Sequence, residues 1–167
     1  FFNTDGIDVH ILYPSKKVSE LQEKQITTYG GNITALEVDG TFDDCQKLVK
    51  DAFVDPELRD KLNLSSANSI NIARLIPQIF YYFEAYKQIR NKSEEIIFSV
   101  PSGNLGNITA GLMSKKMGLP ISTFIGATNI NKTFTEYVNT GVFEPADAVK
   151  TFSNAMDVGN PSNLKRI

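Results

Sequence analysis

The stretch Ile96-Ile97-Phe98-Ser99-Val100-Pro101-Ser102-Gly103-Asn104-Leu105-Gly106-Asn107 decides how the rest of this chain is read. It opens as a short apolar run that fits a buried strand, and an amphipathic helix follows it to about Met117. A tight turn between strand and helix leaves main-chain N–H groups without helical partners and places the positive helix end beside them, which suits a phosphate. Gly103 and Gly106 let a ligand approach the backbone, Asn104 and Asn107 tolerate unusual φ and ψ and carry amides, and Ser102 adds a hydroxyl. Each charge-assisted hydrogen bond contributes about 1.5 to 3 kcal/mol, so a few such donors anchor a phosphorylated cofactor. The same residues also make a plain βα turn, and on the turn alone both readings stand.

Other phosphate-binding turns fit less well. A P-loop requires a Lys after its last Gly, and none follows Gly106. A dinucleotide fingerprint requires a third Gly and an acidic residue about 20 positions on, at the end of the next strand, and both are missing. A single phosphate with no ribose to hold is the better match.

Composition narrows the classes further. The chain has 167 residues and a formal charge of -2, with basic residues dispersed, which argues against a nucleic-acid surface. No apolar run reaches the ~18 residues that cross a bilayer, and the start of the chain has no signal-peptide pattern, so a soluble protein without a membrane partner is expected. Cys45 is the one cysteine, which excludes an internal disulfide and fits a reducing, cytoplasmic setting. With only His10 and Cys45 available, no metal site of the usual zinc type is expected. His10 reads as a strand side chain and Cys45 as a small core hydrophobe.

Strands and helices alternate along the chain, which predicts an α/β fold with a mostly parallel sheet. Val9 to Tyr13 is the first strand. A helix follows from Ser19, capped with Gln22 and carrying Val18, Leu21, Ile26 and Tyr29 as apolar contacts. Ile33 to Val38 is a strand, and Thr41 with Asp44 caps the next helix. Ser65 to Ser69 are small and polar and mark a boundary between lobes. Beyond it Ile72, Leu75, Ile76, Ile79, Phe80 and Phe83 predict a long helix, kinked at Pro77 and, with Tyr81 and Tyr82, covered on more than one side. Ile121 to Ala127 is a strand, Thr133 to Asn139 a short helix, and Asn154 to Asn163 a loop dense in amides. Because Phe1-Phe2 look like the end of an earlier helix and the chain stops after a loop, an internal fragment is expected.

Six segments carry a resemblance: Ile11 to Pro14, Leu21 to Gln25, Ser66 to Arg74, Tyr81 to Ala85, Val100 to Asn107, and Ser153 to Pro161. In these the chain resembles the threonine synthases of the shorter, bacterial and fungal type, within the fold-type II enzymes dependent on pyridoxal 5'-phosphate. The resemblance implies a Rossmann-like three-layer α/β/α architecture in two lobes, with residues 1–64 in the smaller lobe and 65–167 supplying a connecting helix and part of the larger, cofactor-binding lobe. It implies a lyase that converts O-phospho-L-homoserine and water to L-threonine and phosphate. Ser102, Gly103, Asn104, Leu105, Gly106 and Asn107 would surround the cofactor phosphate, with Leu105 where Phe is common and Asn107 where Asp also occurs. Ser69, Asn71 and Arg74 would help recognise the substrate phosphate or carboxylate, Arg74 being equally suited to a surface ion pair. Asn154 to Asn160 correspond to a loop bordering the active site.

The family's cofactor lysine sits in a Phe-Lys-Asp context that no lysine here has, so no catalytic side chain is assigned and the isolated chain is expected to be inactive. Two other readings remain: another fold-type II enzyme such as a threonine dehydratase or cysteine synthase, or a noncatalytic Rossmann-like anion-binding module. Oligomeric state is open, although a partial α/β lobe leaves apolar surface that favours self-association.

Overall fold

Two βαβ segments organise the residues that the computed structural model describes, 1–89, 91 and 94–167, one within each of two units, Phe1–Leu64 and Ser65–Ile167. In the first unit β1 (Val9–Pro14) and β2 (Ile33–Val38) pair in parallel, from Val9 opposite Ile33 to Pro14 opposite Val38, with α1 (Glu20–Thr27) as the crossover. Ser19 starts α1 by a reciprocal cap: its Oγ accepts from the Gln22 N–H at 3.3 Å, and the Gln22 side chain accepts from the Ser19 N–H at 3.1 Å. Thr41 and Asp44 do the same for α2 (Phe42–Val54), at 3.2 and 2.7 Å. Those bonds from Thr41 hold the Asp44 carboxyl below its ordinary range. Asp55 caps α3 (Pro56–Lys61), with Pro56 in the first turn where its missing N–H has no helical partner to lose. Cys45 on α2 is buried, and burial pushes its thiol up.

The apolar stripe expected on α1 does not form a core contact. Leu21 and Tyr29 are exposed and no residue of α1 is buried. Leu21 and Ile26 lie five positions apart, which turns through about 140° on a helix, so the two cannot share one face.

In the second unit a 3₁₀ turn over Ile72–Arg74 leads into α4 (Ile76–Gln88), followed by β3 (Ile97–Pro101), α5 (Gly106–Lys116), β4 (Thr123–Ala127) and α6 (Thr133–Thr140), with 3₁₀ turns at Asn154–Met156 and Leu164–Arg166. β3 and β4 pair in parallel, Ile97 opposite Thr123 through Pro101 opposite Ala127. Their core side and α5 enclose Leu75, Ile79, Tyr82, Val100, Leu105, Ile108, Ala110, Leu119 and Ile121. The Tyr82 ring lies 4.9 Å from that of Phe98 and 6.0 Å from that of Phe124. Gly111 on α5 permits this packing, since a Cβ there would meet the Phe124 ring at 2.6 Å and Tyr82 at 2.7 Å.

Pro77 does not kink a long helix. The helix begins at Ile76, so Pro77 occupies its first turn, and Ile72–Arg74 form a separate 3₁₀ turn capped by Asn71. The apolar stripe is also covered on one side only: Leu75, Ile79 and Tyr82 are buried, whereas Ile72, Ile76, Phe80 and Tyr81 are exposed. Leu75, Ile79 and Tyr82 share the i, i+4, i+7 face that meets α5, and Phe80 and Tyr81 point away from it.

Candidate functional site

The turn between β3 and α5 is built differently from the starts of α1, α2 and α3. Those three helices have side-chain caps, while α5 has none, and its N-cap residue is Leu105 in the left-handed region at φ 62°. Among the described residues no acceptor takes the amide N–H of Gly103, Asn104, Leu105, Gly106 or Asn107. Orphan amides at a helix start project beyond its N-terminus along the axis, where the dipole is positive. A run of such donors favours an anion by hydrogen bonding without bringing any cation into the turn.

Ser102 stands apart from this run. Its N–H donates to the Ala127 carbonyl at 2.8 Å and its hydroxyl to the Val100 carbonyl at 2.9 Å, so the hydroxyl expected to add a donor is turned back onto its own strand. The glycines also differ from expectation in what fills their open side. A Cβ on Gly103 would meet the main-chain Cα of Met156 at 2.8 Å, and one on Gly106 would meet the Ser69 Cβ at 3.2 Å. The missing side chains therefore admit neighbouring protein, the Asn154–Met156 turn and the loop before α4, against the phosphate-type turn.

The two asparagines of the turn are held by residues that sequence reasoning did not single out. The Asn104 side-chain carbonyl accepts from the Ser162 N–H at 2.6 Å and from the Ser162 hydroxyl at 2.9 Å. Asn163, fully buried, donates through Nδ2 to the Asn104 main-chain carbonyl at 2.9 Å and to Ser69 Oγ at 3.0 Å. The Tyr82 hydroxyl reaches both the main-chain carbonyl and Oδ1 of Asn107, at 2.9 and 2.8 Å. Burial of Tyr82 pushes its phenol up to about 12, so it remains a donor at neutral pH.

Of the three residues expected at the substrate, two are engaged by neighbouring protein groups, Asn71 within its own loop and Ser69 also by the turn and by Asn163. Ser69 Oγ accepts from Asn104 Nδ2 at 3.1 Å as well as from Asn163, and donates to Asn68 Oδ1 at 3.3 Å. Asn71 accepts from the Ala73 N–H at 3.0 Å and donates to the Ser66 carbonyl at 3.1 Å. Arg74 is exposed, and its guanidinium has no hydrogen-bond or ion-pair partner among the described residues. Arg166 closes the arrangement by donating to the Ser69 and Ile70 carbonyls at 2.6 and 2.7 Å and to Asn163 Oδ1.

A second polar knot joins the loop after β4 to the amide-rich stretch. Asp157 Oδ1 accepts from Asn129 Nδ2 at 2.8 Å, Asn131 Nδ2 at 3.1 Å and Thr151 Oγ1 at 2.7 Å, and its Oδ2 accepts from the Thr151 N–H at 2.8 Å. Burial pushes this carboxyl up, but the bonds from Thr151 and Asn129 outweigh it and hold it below its ordinary value. The knot braces the segment whose Met156 lies against Gly103.

No family model matches the chain. The threonine synthase of Buchnera aphidicola from Acyrthosiphon pisum is 51% identical over 168 residues, which is 100% of this chain and 39% of that protein. Among solved structures, the crystal structure of threonine synthase from Escherichia coli superimposes with a TM-score of 0.90 at 51% identity, over 95% of this chain and 37% of the other. The threonine synthase of Brucella melitensis, solved with pyridoxal phosphate bound, gives a TM-score of 0.83 at 43% identity, over 99% of this chain and 36% of the other. Sequence and fold together make this chain homologous, from end to end, to part of threonine synthase.

Proposed function

We propose that the turn from Gly103 to Asn107 holds the phosphate of pyridoxal 5'-phosphate in a threonine synthase, which converts O-phospho-L-homoserine and water to L-threonine and phosphate. The observation that carries this reading is the whole-chain match to threonine synthases, one of them described with pyridoxal phosphate bound. The turn itself fits the group, because five consecutive amides there lack an acceptor among the described residues. Gly103, Asn104, Leu105, Gly106 and Asn107 would hold the phosphate through the main chain, with Ser102 fixing the turn to β3 and β4. Bound there, the cofactor supplies an electron sink for loss of the γ-phosphate and addition of water at the β-carbon.

On the substrate side Arg74 is assigned to an anionic group, the phosphate or carboxylate of O-phospho-L-homoserine, since its exposed fork of donors has no partner among the described residues. Ser69 and Asn71 then act through the shape of the loop that carries Arg74. We assign Phe1–Leu64 to the smaller lobe of the enzyme and Ser65–Ile167 to the connecting helix and part of the larger, cofactor-binding lobe. The single buried thiol, Cys45, accords with a cytoplasmic enzyme. No lysine here lies between Phe and Asp, so the proton transfers at the cofactor are not assigned to this chain.

Fluorescence titration of the chain with pyridoxal 5'-phosphate and with pyridoxal, which lacks the phosphate, tests the turn. The phosphorylated form is expected to bind at least about tenfold more tightly, a difference of about 1.4 kcal/mol. Equal affinities would remove the phosphate from the reading. Release of inorganic phosphate from O-phosphohomoserine by the whole enzyme separates it from a threonine dehydratase or cysteine synthase.

A further inference from the structure

The main-chain amides from Gly103 to Asn107 have no acceptor among the described residues, yet the two asparagines of the turn are each held by a buried side chain from outside it. We propose that Tyr82 and Asn163 are positioning residues that keep the amide row open to an anion, an inference that rests on the reading of this turn as a phosphate site. The physical problem they solve is competition. A short polar turn rich in asparagine tends to satisfy its own N–H groups with its own side-chain carbonyls, in the Asx-turn manner, and every amide so satisfied is lost to a ligand.

Here both carboxamide oxygens are occupied from elsewhere. Asn107 Oδ1 takes the Tyr82 hydroxyl at 2.8 Å, and the same hydroxyl is 2.9 Å from the Asn107 carbonyl. Asn104 Oδ1 is taken by two donors from Ser162, and the Asn104 main-chain carbonyl by Asn163 Nδ2 at 2.9 Å. Asn163 also shares Ser69 Oγ with Asn104 Nδ2, so one buried carboxamide fixes the backbone and, through the serine, the side chain of Asn104. The two residues reach the turn from separate elements, Tyr82 from α4 and Asn163 from the end of the amide-rich stretch. They hold the turn at positions three residues apart, on either side of Leu105, whose left-handed backbone needs such support.

The test uses the full chain and reads affinity for inorganic phosphate and for pyridoxal 5'-phosphate, with the amide ¹⁵N–¹H signals of Gly103 and Gly106 as local reporters, well below the melting temperature. Tyr82→Phe removes only the hydroxyl and keeps the core ring; it is expected to weaken both ligands about fivefold, as the loss of one net hydrogen bond does, and to change the two glycine signals. Asn163→Ala is expected to weaken them more, and Asn163→Asp, which keeps the shape but loses the donor, to behave like Asn163→Ala. A merely structural role would lower the melting temperature of these variants and leave the affinities of the folded protein unchanged. Unchanged affinity in Tyr82→Phe overturns the proposal even where the Asn163 variants do not fold. Absence of binding by the unaltered chain overturns the phosphate reading itself, so the two failures are told apart.

Discussion

Gly103 has nothing to do with chain flexibility here and everything to do with space. A Cβ at this position would stand 2.8 Å from the Met156 Cα; the Cβ is fixed by its own backbone and the Met156 atom is main chain, so neither can swing aside as the end of a flexible side chain would. Gly103→Ala is therefore expected to cost about 1 to 3 kcal/mol in urea denaturation, the range for overpacking a fitted site. Wild-type stability in that variant would show that the Asn154–Met156 turn moves away freely. Leu105 is the opposite case, a large side chain kept at φ 62° in spite of a backbone penalty of about 1 kcal/mol, because its burial in the core outweighs the strain. Tyr82 gives a prediction in pH. Its phenol titrates near 10 when unfolded and near 12 when folded, so folding is favoured by the neutral form. That contribution is complete below about pH 10 and is lost as pH rises to about 12, since the unfolded chain gives up its proton first. Chemical denaturation across this window should show the wild type losing more stability than Tyr82→Phe, and parallel losses would contradict the burial argument.

Among the elements, α1, α2 and α3 are closed at their starts by their own side chains, whereas α4, α5 and α6 have no side-chain cap, and α5 differs from the other two in following a glycine turn whose N-cap residue is left-handed. Capping residues such as Ser19 and Thr41 contribute about 1 kcal/mol each to the helices they start. The loop from Thr128 to Asp157 works as an element too, because the Asp157 carboxylate collects four bonds from Asn129, Asn131 and Thr151. Asp157→Asn turns one acceptor into an NH₂ that faces either the Thr151 N–H or the Asn129 and Asn131 NH₂ groups, and is expected to cost about 1 to 3 kcal/mol. Because the folded carboxyl titrates below its ordinary 3.8, its contribution is full above that pH and fades as pH falls through the lower, folded value. Urea denaturation at pH 7 and at successively lower pH should therefore show the wild type losing more stability on acidification than Asp157→Asn, which starts less stable and lacks the titrating carboxyl; equal losses would contradict this account. The surface ion pairs, all three or four residues apart on exposed helix faces, contribute little by comparison.

Across the whole molecule the chain divides at Leu64 and Ser65, and the residues from Leu62 to Ser65 are exposed and outside any helix or strand. Limited proteolysis with thermolysin is expected to cut between Lys61 and Ala67 before it cuts inside either βαβ segment, giving two pieces identified by mass spectrometry. First cuts within β3, α5 or β4 would mean that the second unit opens more easily than its core implies. The α/β class and the caps of α1 and α2 were legible in the sequence because each depends on residues within a few positions: Ser19 with Gln22, Thr41 with Asp44. The turn Gly103–Asn107 was legible for the same reason, as was its resemblance to threonine synthase. The pairings that hold it were not. Tyr82 lies 25 positions from Asn107 and Asn163 lies 59 from Asn104, and in sequence each looks like ordinary core or ordinary loop. Nor could local pattern show that the hydroxyl of Ser102 turns back to Val100, or that Ser69 is encircled while Arg74 has no partner among the described residues. Composition and short-range spacing determined which segments are strands, helices and turns, since those follow from local sterics and hydrogen bonding. Which donors stay open to a ligand was decided by tertiary structure alone, because an amide's availability depends on which distant acceptors the fold brings beside it or keeps away.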